Sequence, residues 1–366
     1  MAGTPSCVTG DFRMATVRSI EGCLLGIALG DALGLPYENV PALRVLKLLG
    51  EPDRFRFVFG RGMVSDDTEH ACMTAQSLIA AGNDISTFER SLAGHLRRWI
   101  VLLPAATGLA TARACFKLLV GFSPRRSGVF SAGNGPAMRS PVLGAAIDDL
   151  ALLKVFVQSS TRITHTDPKA EYGALAVALA ARESSLAETV DPEQFVQKLK
   201  NVLGDAPAAE FLELVDRAVQ SAGRTETGAQ FAASLGLSRG VTGYIYHTVP
   251  VVLQVWFRHP RDFRGAMRDV ILCGGDTDTT AAILGGIIGA GVGKQGLPEE
   301  WLRGLWEWPL TVGWMEQLAA QLGAAHVASV PARPPHLPIA GVVPRNLLFL
   351  AVVLFHGLRR LLPPYA

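Results

Sequence analysis

Two short stretches of the chain combine acidic and hydroxyl side chains densely enough to hold a cation or to move protons. The first is Ser65-Asp66-Asp67-Thr68-Glu69 and the second is Gly274-Gly275-Asp276-Thr277-Asp278-Thr279. Each precedes apolar and small residues at helical spacing: Cys72, Met73, Leu78 and Ile79 after the first, and Ala281 to Ala290 after the second. The plain reading of either stretch is a helix N-terminus, where Ser and Asp accept from unpaired amides and offset the helix dipole. The second could equally be a glycine turn and cap ahead of close packing through Gly285 and Gly289. Adjacent aspartates suit capping poorly, however, because they repel each other unless positive charge lies between them. Asp66, Asp67, Asp276 and Asp278 carry four negative charges, enough to balance two divalent cations, and the Ser65 and Thr279 hydroxyls add hard oxygen donors. With no paired cysteines and no histidine-rich cluster, magnesium or manganese is favoured over zinc.

Three further sites carry weaker chemical signals. Small residues from Gly26 to Leu33 let a helix approach another backbone closely before the chain breaks at Pro36. Asp31 then reads as structural, bonding nearby amides within a tight contact, and Glu38 falls on a loop as a movable acid or base. Gly133-Asn134-Gly135, with Ser131 just ahead, is a glycine-rich loop whose amides could hold a diphosphate or ribose; a surface turn before a helix at Met138 is the ordinary alternative. His165 stands just before Asp167 and Pro168, where a lone histidine is ordinarily capped or solvent-exposed and needs a partner to become functional. The run from Gly289 to Gln295 imitates a nucleotide loop, but Ile288 stands where glycine is required and Gln295 replaces the Ser or Thr.

The elements that must position these groups are helical. Apolar residues recur at helical spacing in Leu24, Ala28 and Leu29 and in Ile283, Ile287 and Ile288, while strand-like alternation is scarce. Gly, Pro, Asp and Ser clusters such as Gly34 to Pro36 and Ser123 to Gly135 punctuate them. The expectation is a compact all-α single domain over residues 19–325. It is flanked by an N-terminal arm (1–18), a Pro-rich linker (326–345) and an apolar C-terminal helical extension (346–366).

Composition narrows the class of function. Of 366 residues 49% are hydrophobic and 18% charged, which suits close-packed helices rather than a disordered chain. A net charge of +2 provides no field for nucleic-acid backbone, so no nucleic-acid partner is expected. Five scattered cysteines without a C-x-x-C pair, and no secretory signal before Ser19, fit a reducing cytoplasm. The apolar run Leu347 to Phe355, bounded by Pro344 and Arg345, is too short to span a membrane. Arg359 and Arg360 allow it a peripheral, interfacial role, but packing against its own domain or a second subunit is the favoured reading.

The order and spacing of these motifs resemble the ADP-ribosylglycohydrolase family, whose bacterial members include the enzyme that reactivates dinitrogenase reductase. The likeness runs from about Glu21 to Ala290. It rests on the small-residue helix Gly22 to Gly34, Ser-Asp-Asp-Thr-Glu, Gly133-Asn134-Gly135-x-x-Met138-Arg139-x-Pro141-x-x-Gly144, Thr164-His165-x-x-Pro168 and Gly-Gly-Asp-Thr-Asp-Thr. The resemblance implies a binuclear magnesium or manganese centre at the base of an ADP-ribose cleft. Its ligands map onto Ser65, Asp66, Asp67, Asp276, Asp278 and Thr279, with Ser65 standing where family members also carry Thr. It implies substrate contacts from Ser131, Gly133, Asn134, Gly135 and His165, and Glu38 and Asp67 are the expected proton handlers. The expected reaction is hydrolysis of the glycosidic bond between ADP-ribose and an acceptor, arginine on a protein before serine or a small conjugate. Two other readings compete: an immunity-type protein that binds an ADP-ribosylating toxin, and a metal-dependent phosphohydrolase.

Overall fold

The computed structural model describes residues 8–362 apart from 106, 205–207 and 329. Among these the chain forms eighteen α-helices, and its only sheet pairs Val40–Pro41 antiparallel with Gly274–Gly275. The all-α expectation holds.

Two helices make the spine: Val8–Gly34 and Thr277–Val292. Glycines at four-residue intervals in the first, Gly22, Gly26, Gly30 and Gly34, lie along one face of a helix, since four residues are slightly more than a turn. Each meets the second helix's backbone. A methyl group added to Gly22, Gly26, Gly30 or Gly34 would stand 2.1, 2.1, 2.0 and 2.3 Å from the carbonyl oxygens of Gly289, Gly285, Ala281 and Thr277. Only glycine permits that approach, and it places Asp31 and Asp278 side by side at the same end of the pair. Packed around this spine are the Asp66–Ala81, Gly135–Ala146, Pro168–Leu186 and Val312–Ala328 helices.

The short sheet has a positional task. Gly274 and Gly275 have φ of 68° and 82°, a left-handed backbone that glycine adopts without strain. Asn39 N donates to Gly275 O at 2.7 Å, so the loop carrying Glu38 is tied beside the turn carrying Asp276.

The chain ends differ from expectation. Helix begins at Val8, inside the stretch read as an arm, and residues 1–7 lie outside the described part. Residues 330–338 run without regular structure and are fastened by Ala332 N to Ile79 O (2.9 Å) and Trp314 Nε1 to His336 O (3.1 Å). The last helix, Val342–Arg359, starts earlier than Pro344 suggested, because Pro344 falls in its first turn, where no amide hydrogen is needed. It docks Arg345, Asn346, Phe349, Val352 and His356 inward and leaves Leu347, Leu348, Leu354, Phe355 and Leu358 exposed. By length and composition this segment and Val17–Tyr37 are each apolar enough to cross a membrane. The N-terminal one is almost wholly buried in the spine.

Candidate active site

The two acidic stretches become the N-termini of adjacent helices, Asp66–Ala81 and Thr277–Val292, as the capping pattern requires. Ser65 is the N-cap of the first, accepting from Asp67 N at 3.4 Å. The rest of that capping is done from another helix. Asp31, fully buried, accepts from Ser65 N (2.8 Å), Ser65 Oγ (2.9 Å), Thr68 N (3.2 Å) and Thr68 Oγ1 (2.6 Å). Its structural reading is therefore correct, and its task is to leave Asp66 and Asp67 unencumbered. Burial lifts the Asp31 carboxyl to about 6, against the pull of those four hydrogen bonds.

Asp67 and Asp278 carry the strongest sign of an absent partner. Asp67 Oδ2 accepts from Thr279 Oγ1 at 3.2 Å and Ser65 Oγ at 3.3 Å, but its Oδ1 is buried without any hydrogen bond, as is Oδ1 of Asp278. A buried carboxylate oxygen with no donor is costly. Burial, with neighbouring acids adding to it, pushes the carboxyls of Asp66, Asp67 and Asp278 well above the usual range. For Asp278 the acids are Glu38 first, then Asp276, Asp67 and Asp31. A cation relieves both problems at once, and six oxygen-bearing side chains with no sulfur or imidazole among them suit a hard one. Among the described residues no three His, Cys, Asp or Glu side chains already close around one point, so Ser65 and Thr279 hydroxyls are needed to complete any such set.

Above these carboxylates lies a cleft of about 710 Å³. Its lining includes Glu38, Asp66, Asp276, Asp278 and Thr279 together with Ser131, Gly133, Asn134, Gly135 and His165. Asp67 and Ser65 are buried just beneath. Every site residue expected from the sequence thus gathers in one place, drawn from five parts of the chain. Glu38 caps the turn Leu35–Tyr37, and burial followed by the nearby Asp276 raises its carboxyl, so it holds a proton more readily than a free glutamate.

The glycine loop works differently from the anion cradle its composition suggested. Gly133 N donates to Ser131 Oγ (3.3 Å) and Asn134 N to Gly243 O (2.9 Å), so these amides are already engaged. The Asn134 amide donates to Asp276 Oδ2 (2.7 Å) and Thr248 Oγ1 (3.0 Å), which makes it an orienter of Asp276. The two glycines make room for His165: a Cβ would stand 3.0 Å from its Nε2 at Gly133 and 3.1 Å from its Cε1 at Gly135.

His165 is buried rather than solvent-exposed, and its Nδ1 contacts Thr164 Oγ1 at 2.9 Å. Burial, then the charge of Arg139, lowers it to about 3, so the ring is neutral at physiological pH. Arg139 is the residue the sequence left without a role. It is fully buried with no carboxylate partner among the described residues, donating instead to Ser160 O and Thr164 Oγ1 (both 2.8 Å), Ser160 Oγ (2.9 Å) and His70 Nδ1 (3.2 Å). Residues 239–243, which line the cleft beside the Gly274–Gly275 turn and include Arg239, were also missed, since nothing in their composition marks a site.

An all-helical scaffold with two carboxylate–hydroxyl clusters flooring one polar cleft defines a class of hydrolytic enzyme, and comparison supplies the family. The family model described as ADP-ribosylglycohydrolase matches residues 13–331, and the chain belongs to that family, which acts on ADP-ribose conjugates. A protein of Archaeoglobus fulgidus is 31% identical over 324 residues, covering 86% of this chain and 98% of that one. The ADP-ribosyl-[dinitrogen reductase] glycohydrolase of Rhodospirillum rubrum is 26% identical, covering 78% and 89%. ADP-ribosylhydrolase ARH3 of Gallus gallus is 25% identical, covering 80% and 92%. A solved structure titled ADP-ribosylglycohydrolase-related protein complex superposes with a TM-score of 0.60 at 25% identity, covering 86% of this chain and 99% of that one.

Proposed function

We propose that this enzyme hydrolyses the glycosidic bond joining ADP-ribose to a protein arginine, using two magnesium or manganese ions held by Ser65, Asp66, Asp67, Asp276, Asp278 and Thr279. The observation that carries the metal reading is the pair of buried, unpartnered oxygens on Asp67 and Asp278 at the floor of the cleft. A cleft of about 710 Å³ is within the size range of small-molecule sites and accommodates a dinucleotide-sized group. Bound divalent ions would lower the pKa of a water and neutralise developing charge.

The remaining work belongs to the chain. Breaking the bond at the anomeric carbon passes through an oxocarbenium-like state that needs a fixed ribose and a proton for the leaving group. Glu38, which lines the cleft and whose carboxyl is raised by burial and then by Asp276, is suited to deliver one and later to accept one. Asp67 is the second proton handler. Asn134 orients Asp276, and neutral His165 presents its ring to the ribose or diphosphate as a hydrogen-bonding and packing surface rather than as a charge. Arginine is chosen as acceptor because the motif set resembles that of the bacterial enzymes that reactivate dinitrogenase reductase, and a glycohydrolase named for ADP-ribosyl-[dinitrogen reductase] is among the relatives.

The test is to incubate the purified protein with magnesium or manganese and an arginine-ADP-ribosylated protein, with a serine-linked substrate and a chelator control alongside. Mass spectrometry should find intact ADP-ribose released from the arginine conjugate only with metal. Release of AMP would identify a phosphohydrolase, and preference for the serine conjugate would overturn the acceptor assignment.

A further inference from the structure

The last helix lies beyond the stretch matched by the family model, yet its ends reach the backbone at Glu38 and the backbone just before Ser65. On one side, Arg360 donates through Nη1 to Glu38 O (2.7 Å) and through Nη2 to Pro36 O (2.5 Å), and His356 Nε2 adds a contact to Pro36 O at 2.9 Å. On the other, Arg345 donates to Val64 O (2.6 Å) and pairs with Glu307 (2.6 Å), whose Oε2 accepts from Val64 N at 3.1 Å. Val64 directly precedes Ser65. Both polar groups of the residue before the acidic stretch are thus gripped by one buried ion pair.

The Glu38 side is the more telling. Glu38 caps a three-residue turn through its own amide on Leu35 O at 3.2 Å, and next to it Asn39 donates from N to Gly275 O (2.7 Å) and from Nδ2 to Glu38 Oε1 (3.1 Å). The two prongs of a single guanidinium take carbonyls two residues apart, a fork geometry that an ammonium cannot reproduce. We infer that Arg360 is a positioning residue for the reaction, holding the turn through the Pro36 and Glu38 carbonyls so that the Glu38 carboxyl stays aimed at the cleft beside Asp276. Arg345 and Glu307 do the same for Ser65. The inference rests on the reading in which Glu38 handles a proton. A displaced proton donor costs rate rather than binding, because it acts on the leaving group and not on the grip on ADP-ribose.

Arg360 is half-buried at the end of its helix, so its replacement leaves the core intact. The experiment compares the full-length parent with Arg360→Ala, Arg360→Lys, Glu38→Gln and the Glu38→Gln/Arg360→Ala double variant, with the exposed Leu358→Ala as control. Hydrolysis kinetics, calorimetric binding of free ADP-ribose and thermal melting are measured on each. Arg360→Ala should lose on the order of ten- to a hundred-fold in kcat with KM and ADP-ribose affinity nearly unchanged. Arg360→Lys should recover part of that loss, and Leu358→Ala should match the parent. In the Glu38→Gln background, Arg360→Ala should cost nothing more, since the group being positioned is already disabled. Parental kcat in Arg360→Ala, or an equal further loss in the double variant, overturns the inference while leaving the function standing. A parent inactive on every conjugate overturns the function and the inference with it.

Discussion

The unpartnered oxygens of Asp67 and Asp278 make a sharp thermodynamic prediction. In metal-stripped protein, Asp67 is an acid that burial, Asp31, Asp66 and Asp276 all oppose in its charged form. Its replacement by asparagine keeps an acceptor for Thr279 and removes the charge, so metal-free Asp67→Asn should melt at or above the parent temperature. Magnesium should stabilise the parent and leave the variant almost unchanged. A ligand bound only to the folded state at about a hundred times its Kd stabilises by about 2.7 kcal/mol. With an unfolding entropy of about 2.1 cal/mol/K per residue over 366 residues, or about 0.77 kcal/mol/K, that is a rise of about 3.5 °C. The assay is calorimetry or dye-monitored melting across a magnesium and manganese titration. The parent should gain this shift and Asp67→Asn should lose most of it along with hydrolysis. Two results refute the reasoning: an undiminished metal shift in Asp67→Asn, or a metal-free variant melting several degrees below the parent.

Other outcomes follow from the same geometry. Asp276→Asn, which retains an oxygen to accept from Asn134, should fold normally by circular dichroism yet lose at least about a hundred-fold in hydrolysis, on the scale at which loss of a metal-centre group is felt. Gly30→Val would drive a side chain into Ala281 O, which a backbone carbonyl cannot evade, so it should destabilise by at least about 3 kcal/mol in urea unfolding and reduce soluble yield. His165 titrates at about 3 when folded and about 6.5 when unfolded, so the unfolded chain binds the proton first and stability is lost as pH falls below 6.5. Between pH 7 and pH 5 the parent should therefore lose about 2 kcal/mol relative to His165→Gln, read as a difference in urea midpoints.

The fold class and the acidic floor were legible in the sequence because both depend on local pattern. Four-residue glycine spacing dictates a close-packed helix face, and acid next to hydroxyl before an apolar run dictates a helix N-terminus carrying surplus charge. Other features depend on what distant segments bring, and no local pattern encodes them. His165 is indistinguishable from a surface histidine until Gly133, Gly135 and Arg139 surround it. The loop amides at Gly133 and Asn134 were expected to hold substrate, but the backbone of Gly243 and the Ser131 hydroxyl claim them. The span of the last helix was misjudged for a simpler reason: Pro344 reads as a stop, whereas a proline in a first turn is compatible with the helix that follows.

The glycine seam also bears on how the chain is made. Gly30 and its contact Ala281 are about 250 residues apart, so at roughly 5–20 residues per second the first helix leaves the ribosome some 12–50 s before its mate exists. During that interval Val17–Tyr37 has the length and composition of a membrane-crossing segment, with its most intimate surface bare. What later becomes a glycine-lined seam between two buried helices is thus, at birth, an uncovered apolar face. Until residue 292 has emerged, the glycine face of the first helix lacks the backbone that covers it in the folded protein.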